Sequence, residues 1–354
     1  MEFGSLAGGI WDAIIVGQGL AGTTLAWQLM AAGQRVLVID GDPPVTSSRI
    51  AAGLITPITG PRMVVTENVP RALAVARPFY RAIEARTGGS FFHERRAVRL
   101  FQNAGEQSTW AKRVDRPEYR DFLIPHDRLL ADEGVCDTHE GGFVFAGAQL
   151  DVAAYLDASR ARFAFECCQV DWSRDVVPGV DDVAVCGHRA RLVIACEGYG
   201  GTQNRFFSWV PFNPAKGDIL TVRFDRPVAR DCIHRGIWIA PAPQDGLHSI
   251  GSTYHWDALD TVPSAEGRAD IERRLAAFWR TPYTVIDHKA AVRPVISRSK
   301  PKMGWHPQLP RLAFFNGLGS KGSLLAPWFA TAFVRAIVKG EPLPDGSDIR
   351  AYWP

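Results

Sequence analysis

The 354-residue sequence has no apolar run long enough to cross a bilayer, which excludes a spanning helix. Its six cysteines (Cys136, Cys167, Cys168, Cys186, Cys196 and Cys232) form no CxxC pair and no zinc-ligand spacing, so a structural zinc site is excluded. Cys167 and Cys168 are adjacent and badly placed to bridge one another; the six are expected to be buried free thiols in a reducing cytoplasm. A large charge imbalance is also missing. Forty Lys and Arg against 37 Asp and Glu leave +3, too little by itself to draw the chain to nucleic acid or an anionic membrane. Internal repeats and low-complexity tracts are absent, which excludes a repeat array. The start, Met1-Glu2-Phe3-Gly4-Ser5, has no basic region followed by an apolar stretch. No secretory leader is expected, residues 1–8 read as a tag or disordered tail, and a cytoplasmic location is the expectation. The remaining composition, 46% hydrophobic and 22% charged, suits a globular protein with core enough for two domains or one interleaved domain.

The most informative segment is WDAIIVGQGLAGTTLAWQLMAAGQRVLVID, Trp11 to Asp40. A buried strand over Ala13–Val16 runs into Gly17-Gln18-Gly19-Leu20-Ala21-Gly22, a helix runs to about Ala32, Gly33 ends it, and a second strand over Val36–Ile39 closes on Asp40. Gly17 permits the tight turn, Gly19 lets a pyrophosphate approach the backbone, and Gly22 lets the helix pack close to the sheet. The helix N-terminus offers free N–H groups and a positive dipole end to phosphates. Asp40 lies eighteen residues after Gly22, where a carboxylate accepts from an adenosine ribose 2′-OH and repels a 2′-phosphate. A glycine-rich turn in some other α/β protein is the competing reading; strand, helix, second strand and acid in register favour a dinucleotide site.

Further along, a helix is expected over Leu73–Arg86, a strand over Phe91–Leu100, irregular charged chain over 101–135, and a strand over 141–145. Asp151 N-caps a helix over Val152 to about Arg162. Strands follow at Phe163–Cys167, Val183–Gly187 and Ala190–Cys196, and residues 216–255 alternate strand and turn as an antiparallel sheet does. Glu266–Trp279 reads as an amphipathic helix, Val292–Pro301 as irregular and Leu312–Phe315 as a strand. A second glycine turn, Gly317-Leu318-Gly319-Ser320-Lys321-Gly322, leads into a helix over Leu324–Val338. The fold class is α/β: a Rossmann-type nucleotide-binding domain (9–80, 146–215 and 291–354) interleaved with a substrate domain on a mixed, largely antiparallel sheet (81–145 and 216–290).

Five features, in order over residues 11–340, give the chain its resemblance to the D-amino acid oxidase and glycine oxidase superfamily of FAD-dependent amine oxidoreductases. They are the N-terminal unit with Asp40; Ser47-Ser48-Arg49-Ile50-Ala51-Ala52-Gly53-Leu54-Ile55; the run ARLVIACEG ending at Gly198; the runs Lys216–Leu220, Trp238–Pro241 and Ile250–Tyr254; and Val292-Arg293-Pro294 with the second glycine turn and Ala326-Pro327. GSTY and GLGSKGSLLAP are most similar to the oxidase domain of the bifunctional enzymes that mature 5-carboxymethylaminomethyluridine in tRNA. The first motif alone also admits a plain NAD enzyme; the second turn and the SSRIAAGLI loop favour FAD.

The resemblance implies oxidation of a C–N bond by hydride transfer to the flavin, with a small amine or amino-acid substrate and oxygen or another electron acceptor. It implies FAD contacts from Gly17, Gly19, Leu20, Ala21, Gly22, Asp40, Ser47, Ser48, Ala52, Gly53, Leu54, Val170, Cys196, Gly198, Gly319, Lys321, Gly322 and Ser323. No cysteine lies near the second glycine turn, so the FAD is expected to be non-covalent. Arg293 is implied as the carboxylate clamp; a salt-bridged loop arginine is the alternative. Tyr254 is implied as a pocket wall or hydrogen-bond partner, against a core tyrosine, and Lys321 as a balance for charge on the reduced flavin, against a solvated lysine. His93, His234 and Arg235 are weaker pocket candidates, and Arg95, Arg96 and Arg99 read as a solvated strand edge. Glu197 departs from the small residue usual beside the flavin, and Ser249 stands where sarcosine oxidases place a lysine thought to activate oxygen, leaving a dehydrogenase open. A tRNA wobble-uridine substrate and a non-catalytic electron-transfer flavoprotein are the alternative functions; no metal is expected.

Overall fold

The computed structural model describes residues 9–60, 62–65, 68–126, 128–130, 136, 140–297 and 300–354. The expected tail over 1–8 lies outside them. Ala13–Val16 is an unbroken buried run, the signature of a strand covered on both faces. It is central to a six-stranded sheet ordered Lys302–Trp305, Leu312–Asn316, Val193–Ala195, Ala13–Val16, Val36–Asp40, Ala164–Cys167. Neighbours are parallel except the first pair, which is antiparallel. Parallel neighbours require crossovers, and helix Leu20–Ala31 makes the first, packing against helix Gly322–Lys339. Helix Val69–Thr87 packs on that last helix too, and its buried Tyr80 donates from its hydroxyl to the Ser323 carbonyl at 2.8 Å.

The second sheet has eight strands ordered Tyr283–Arg293, Ala215–Phe224, Leu247–Gly251, Ile237–Pro241, Cys232–Arg235, Phe92–Leu100, Gly142–Leu150, Leu54–Ile55. It is antiparallel except for the parallel pair Cys232–Arg235 with Phe92–Leu100. The fold is therefore mixed α/β, one largely parallel sheet beside one largely antiparallel sheet. A fully buried Asp218 ties the latter together: Thr253 Oγ1, the Ser264 backbone N–H and His288 Nε2 lie at 3.1, 2.9 and 2.9 Å from its carboxylate.

Several expectations need correction. Residues 101–135 are not wholly irregular: helices Ala104–Ala111 and Pro117–Arg120 form there. They are too short to show an apolar period, and Trp110 anchors the first by stacking on Phe143 at 3.7 Å. The run Ala190–Cys196 is not one strand. Ala190 belongs to a hairpin strand, His188–Ala190, and Val193–Ala195 alone enters the central sheet, because Arg191 N–H is taken by the Trp11 carbonyl. The irregular stretch assigned from Val292 begins inside the eleven-residue strand Tyr283–Arg293. As an edge strand it tolerates Asp287, His288 and Lys289, which hide its alternation. The amphipathic helix is Ala265–Ala276, capped by Ser264 rather than running to Trp279. Nor are all six cysteines buried: Cys167 is exposed, and Cys168 and Cys186 are half-buried with their sulfurs 3.0 Å apart.

Candidate active site

Between the two sheets lies a cleft of about 910 Å³, within the range of small-molecule and cofactor sites. The first glycine turn forms one end. Gly17 has φ +106°, and a Cβ there would lie 2.5 Å from the Cys196 carbonyl oxygen. A Cβ on Gly22 would come within 1.9 Å of the Gly17 oxygen, so the helix start is pressed onto the turn. Near the missing Cβ of Gly19 stands the Ser48 side chain, with its Oγ at 3.0 Å. Helix Leu20–Ala31 has no side-chain cap hydrogen bond and no acid in its first turn; its Leu20 N–H is met by Ser48 Oγ at 3.1 Å. Asp40 accepts Gln18 N–H and Asp42 N–H at 2.6 Å each, one on each oxygen, which orients a carboxylate that keeps spare acceptor sites.

The second glycine turn forms the opposite wall. Helix Gly322–Lys339 also starts without a capping side chain or an acid. The Lys321 ammonium has no partner among the described residues, and burial pushes its pKa down. Ala52, Gly53 and Leu54 run along the floor; Gly53 has φ +66°, and a Cβ there would fall 1.8 Å from the Leu150 oxygen.

Arg293 ends its edge strand pointing inward. It donates to Ser252 Oγ at 2.5 Å and to the Thr253 carbonyl at 3.2 Å, with the guanidinium 4.3 Å over the Tyr254 ring. No carboxylate pairs with it among the described residues, and burial lowers its pKa. Gly217 makes its room, since a Cβ there would lie 2.1 Å from Nη2. Tyr254 is 47% exposed at the mouth of the cleft, its hydroxyl 3.0 Å from Ser320 Oγ.

Of the residues singled out in the sequence, Gly17, Gly19, Leu20, Ala21, Asp40, Ser47, Ser48, Ala52, Gly53, Leu54, Val170, Cys196, Gly198, Tyr254, Arg293, Gly319, Lys321, Gly322 and Ser323 all line this cleft. Gly22 does not; it acts through the turn geometry above. His234 lines it, whereas His93 and Arg235 do not. Arg235 donates instead to the Phe101 carbonyl at 2.9 Å. The solvated-edge reading fails for Arg99, which is 6% exposed, lines the cleft and pairs with Glu106 at 2.8 Å. Arg96 is held by Asp231 at 2.8 Å. Ser249 lies on the strand Leu247–Gly251 and not on the cleft. Glu197 does line it, held by Trp172 Nε1 at 2.6 Å and Asn204 Nδ2 at 2.9 Å; burial pushes its carboxyl up to about 7. Sequence reasoning missed Arg99, Gln102, Gly217 and Trp238 as cleft residues; Arg99, Gly217 and Trp238 are aligned there by the five adjacent strands from Ala215–Phe224 to Phe92–Leu100, and Gln102 follows the last of these.

Two uncapped helix starts, a ribose-type acid and glycines whose Cβ atoms would collide with backbone fit an extended dinucleotide. A family model described as FAD dependent oxidoreductase (DAO) matches residues 12–336. Solved structures with the same fold include glycine oxidase from Bacillus cereus ATCC 14579, with TM-score 0.78 and 19% identity over 94% of this chain and 96% of that one. Glycine oxidase from Geobacillus kaustophilus has TM-score 0.76 and 19% identity over 97% of both chains. Iminodiacetate oxidase from Chelativorans sp. BNC1 has TM-score 0.72 and 18% identity over 94% and 96%. With its model spanning nearly the whole chain, and a cleft that fits the dinucleotide, this protein belongs to the DAO family of FAD-dependent oxidoreductases.

Proposed function

We propose that the protein oxidises the C–N bond of a small amino acid or N-substituted glycine, using non-covalently held FAD. The first glycine turn and helix start would hold the pyrophosphate, Asp40 the adenosine ribose, Val170 the adenine, and Gly53, Leu54 and the second glycine turn the flavin. Bound there, FAD supplies the acceptor for a hydride leaving the carbon beside the amine.

The chain's own residues do the rest. Arg293 receives the substrate carboxylate in a two-point fork that fixes its rotation and position, and so aims the reacting C–H bond. Tyr254 walls the carboxylate site and shields it from water. Lys321, partly desolvated, would balance negative charge on the reduced cofactor. The observation that carries this reading is the half-buried Arg293 guanidinium, free of any carboxylate among the described residues and facing the same cleft as both helix starts. The test is anaerobic mixing of the FAD-loaded protein with glycine, sarcosine and D-amino acids. Bleaching of the flavin band by at least one, slowed in Arg293→Lys, is expected; no bleaching by any of them refutes the proposal. Repeating the reduction and then admitting oxygen separates an oxidase, which regains colour quickly, from a dehydrogenase.

A further inference from the structure

The polar groups at the end of the cleft away from Arg293 play no part in the chemistry above. Arg99, Gln102, His234, Gly236 and Trp238 line that end. Arg99 gives Nη2 to Glu106 at 2.8 Å and Nη1 to His234 Nδ1 at 2.5 Å. A guanidinium only donates, so Nδ1 is the accepting nitrogen and the ring proton sits on Nε2. Burial, and then the Arg99 charge, pushes the imidazole down to about 3, so the ring is neutral. Its Nε2–H has no partner among the described residues, and Arg99 Nε is buried without one. Arg99 Nε is the fully buried one of the two, and an unpaired buried donor costs about 1–3 kcal/mol; His234 is half-buried, and what both donors lack is an acceptor.

The strand register sets its distance. Ser252, which touches Arg293, follows Gly251; Gly251 pairs with Trp238, Trp238 with His234, and His234 with Arg99. At ~4.8 Å per strand, His234 lies about 10 Å from the Arg293 end. Sarcosine, from carboxyl carbon to N-methyl, spans only about 4 Å. Glu106 already neutralises Arg99, so the site has unpaired donors without net charge. That favours a neutral carbonyl oxygen over a second carboxylate.

We propose that Arg99 and His234 form a second recognition point, which takes a carbonyl oxygen carried about 10 Å from the carboxylate on the nitrogen substituent of a glycine-type substrate. The proposal rests on Arg293 as the carboxylate site. His234 is the residue that selects the tail, and Arg99 is a positioning residue that fixes its tautomer.

The experiment uses the FAD-loaded protein and carboxymethyl thioethers, which copy N-substituted glycines but have no amine to oxidise. Tails of increasing length end in a carbamoyl, a carboxylate or a methyl group, and binding is read from perturbation of the flavin spectrum. Flavin reduction by the matching N-substituted glycines is followed in parallel. At a reach of about 10 Å, the carbamoyl compound is expected to bind at least tenfold more tightly than its methyl partner. His234→Ala brings that ratio close to one, and His234→Gln, which keeps an N–H donor, restores part of it. A purely structural His234 would weaken both compounds equally and leave the ratio intact. The wild-type series decides the matter even if a variant does not fold. A ratio near one in the wild type, an unchanged ratio in His234→Ala, or preference for the carboxylate tail overturns the proposal. If glycine and sarcosine bleach the flavin while tails add nothing, this proposal alone falls. If no compound binds or reduces, the Arg293 reading falls and takes this one with it.

Discussion

Arg293 depends on a residue that has no side chain. Gly217 lies on the neighbouring strand, and any Cβ there would occupy the position of the guanidinium. Gly217→Ala is therefore expected to damage carboxylate binding as much as Arg293→Lys does. A lost charge-assisted hydrogen bond is worth about 1.5–3 kcal/mol, so each variant should weaken binding of a small carboxylate by roughly 10- to 100-fold, measured by titrating the flavin spectrum. Glu197 supplies a second residue-scale expectation. Its folded carboxyl titrates at about 7 against an ordinary 4.5, because burial disfavours the charge. Between those values the folded protein keeps a proton that the unfolded chain has lost. Stability from this group is complete below pH 4.5, declines as pH rises and levels off above about 7. Melting temperatures across that window should fall more steeply in the wild type than in Glu197→Gln, which keeps shape and hydrogen bonding without the charge.

At the scale of elements, the helix start at Leu20 is held by contact rather than by a cap. Gly22 has no room for a methyl group, so Gly22→Ala must move the helix away from the turn. Overpacking of this kind costs about 1–3 kcal/mol; the variant should melt earlier and be purified with less yellow cofactor. This element was legible in the sequence because everything that shapes it lies within thirty consecutive residues. The second glycine turn and its helix were legible for the same reason. The strand Tyr283–Arg293 was not: its partner is some seventy residues away, and its exposed edge carries polar residues without penalty. The helices at Ala104–Ala111 and Pro117–Arg120 escaped because a helix of two turns or fewer has too few buried positions to mark a period.

For the whole molecule, the cofactor should act as a clamp between the two sheets. FAD at a hundred times its dissociation constant adds about 2.7 kcal/mol. With an unfolding entropy of ~2.1 cal/mol/K per residue, that raises the melting temperature of a chain this long by about 3–4 °C. Acid or heat should release the flavin into the supernatant; yellow colour retained on the denatured chain would show a covalent link instead. The sequence by itself determined the family, the Rossmann-type unit and the two glycine turns, because backbone geometry at a helix start is written in glycines at fixed spacing. Only the tertiary structure decided that Arg99 leaves the surface, that Arg293 faces the cleft through a gap left by Gly217, and that the Arg99 guanidinium and His234 imidazole, paired with each other at the far end, each keep one donor without an acceptor among the described residues. Those outcomes depend on strand register across six separate segments, and no local stretch of residues encodes which segments lie side by side.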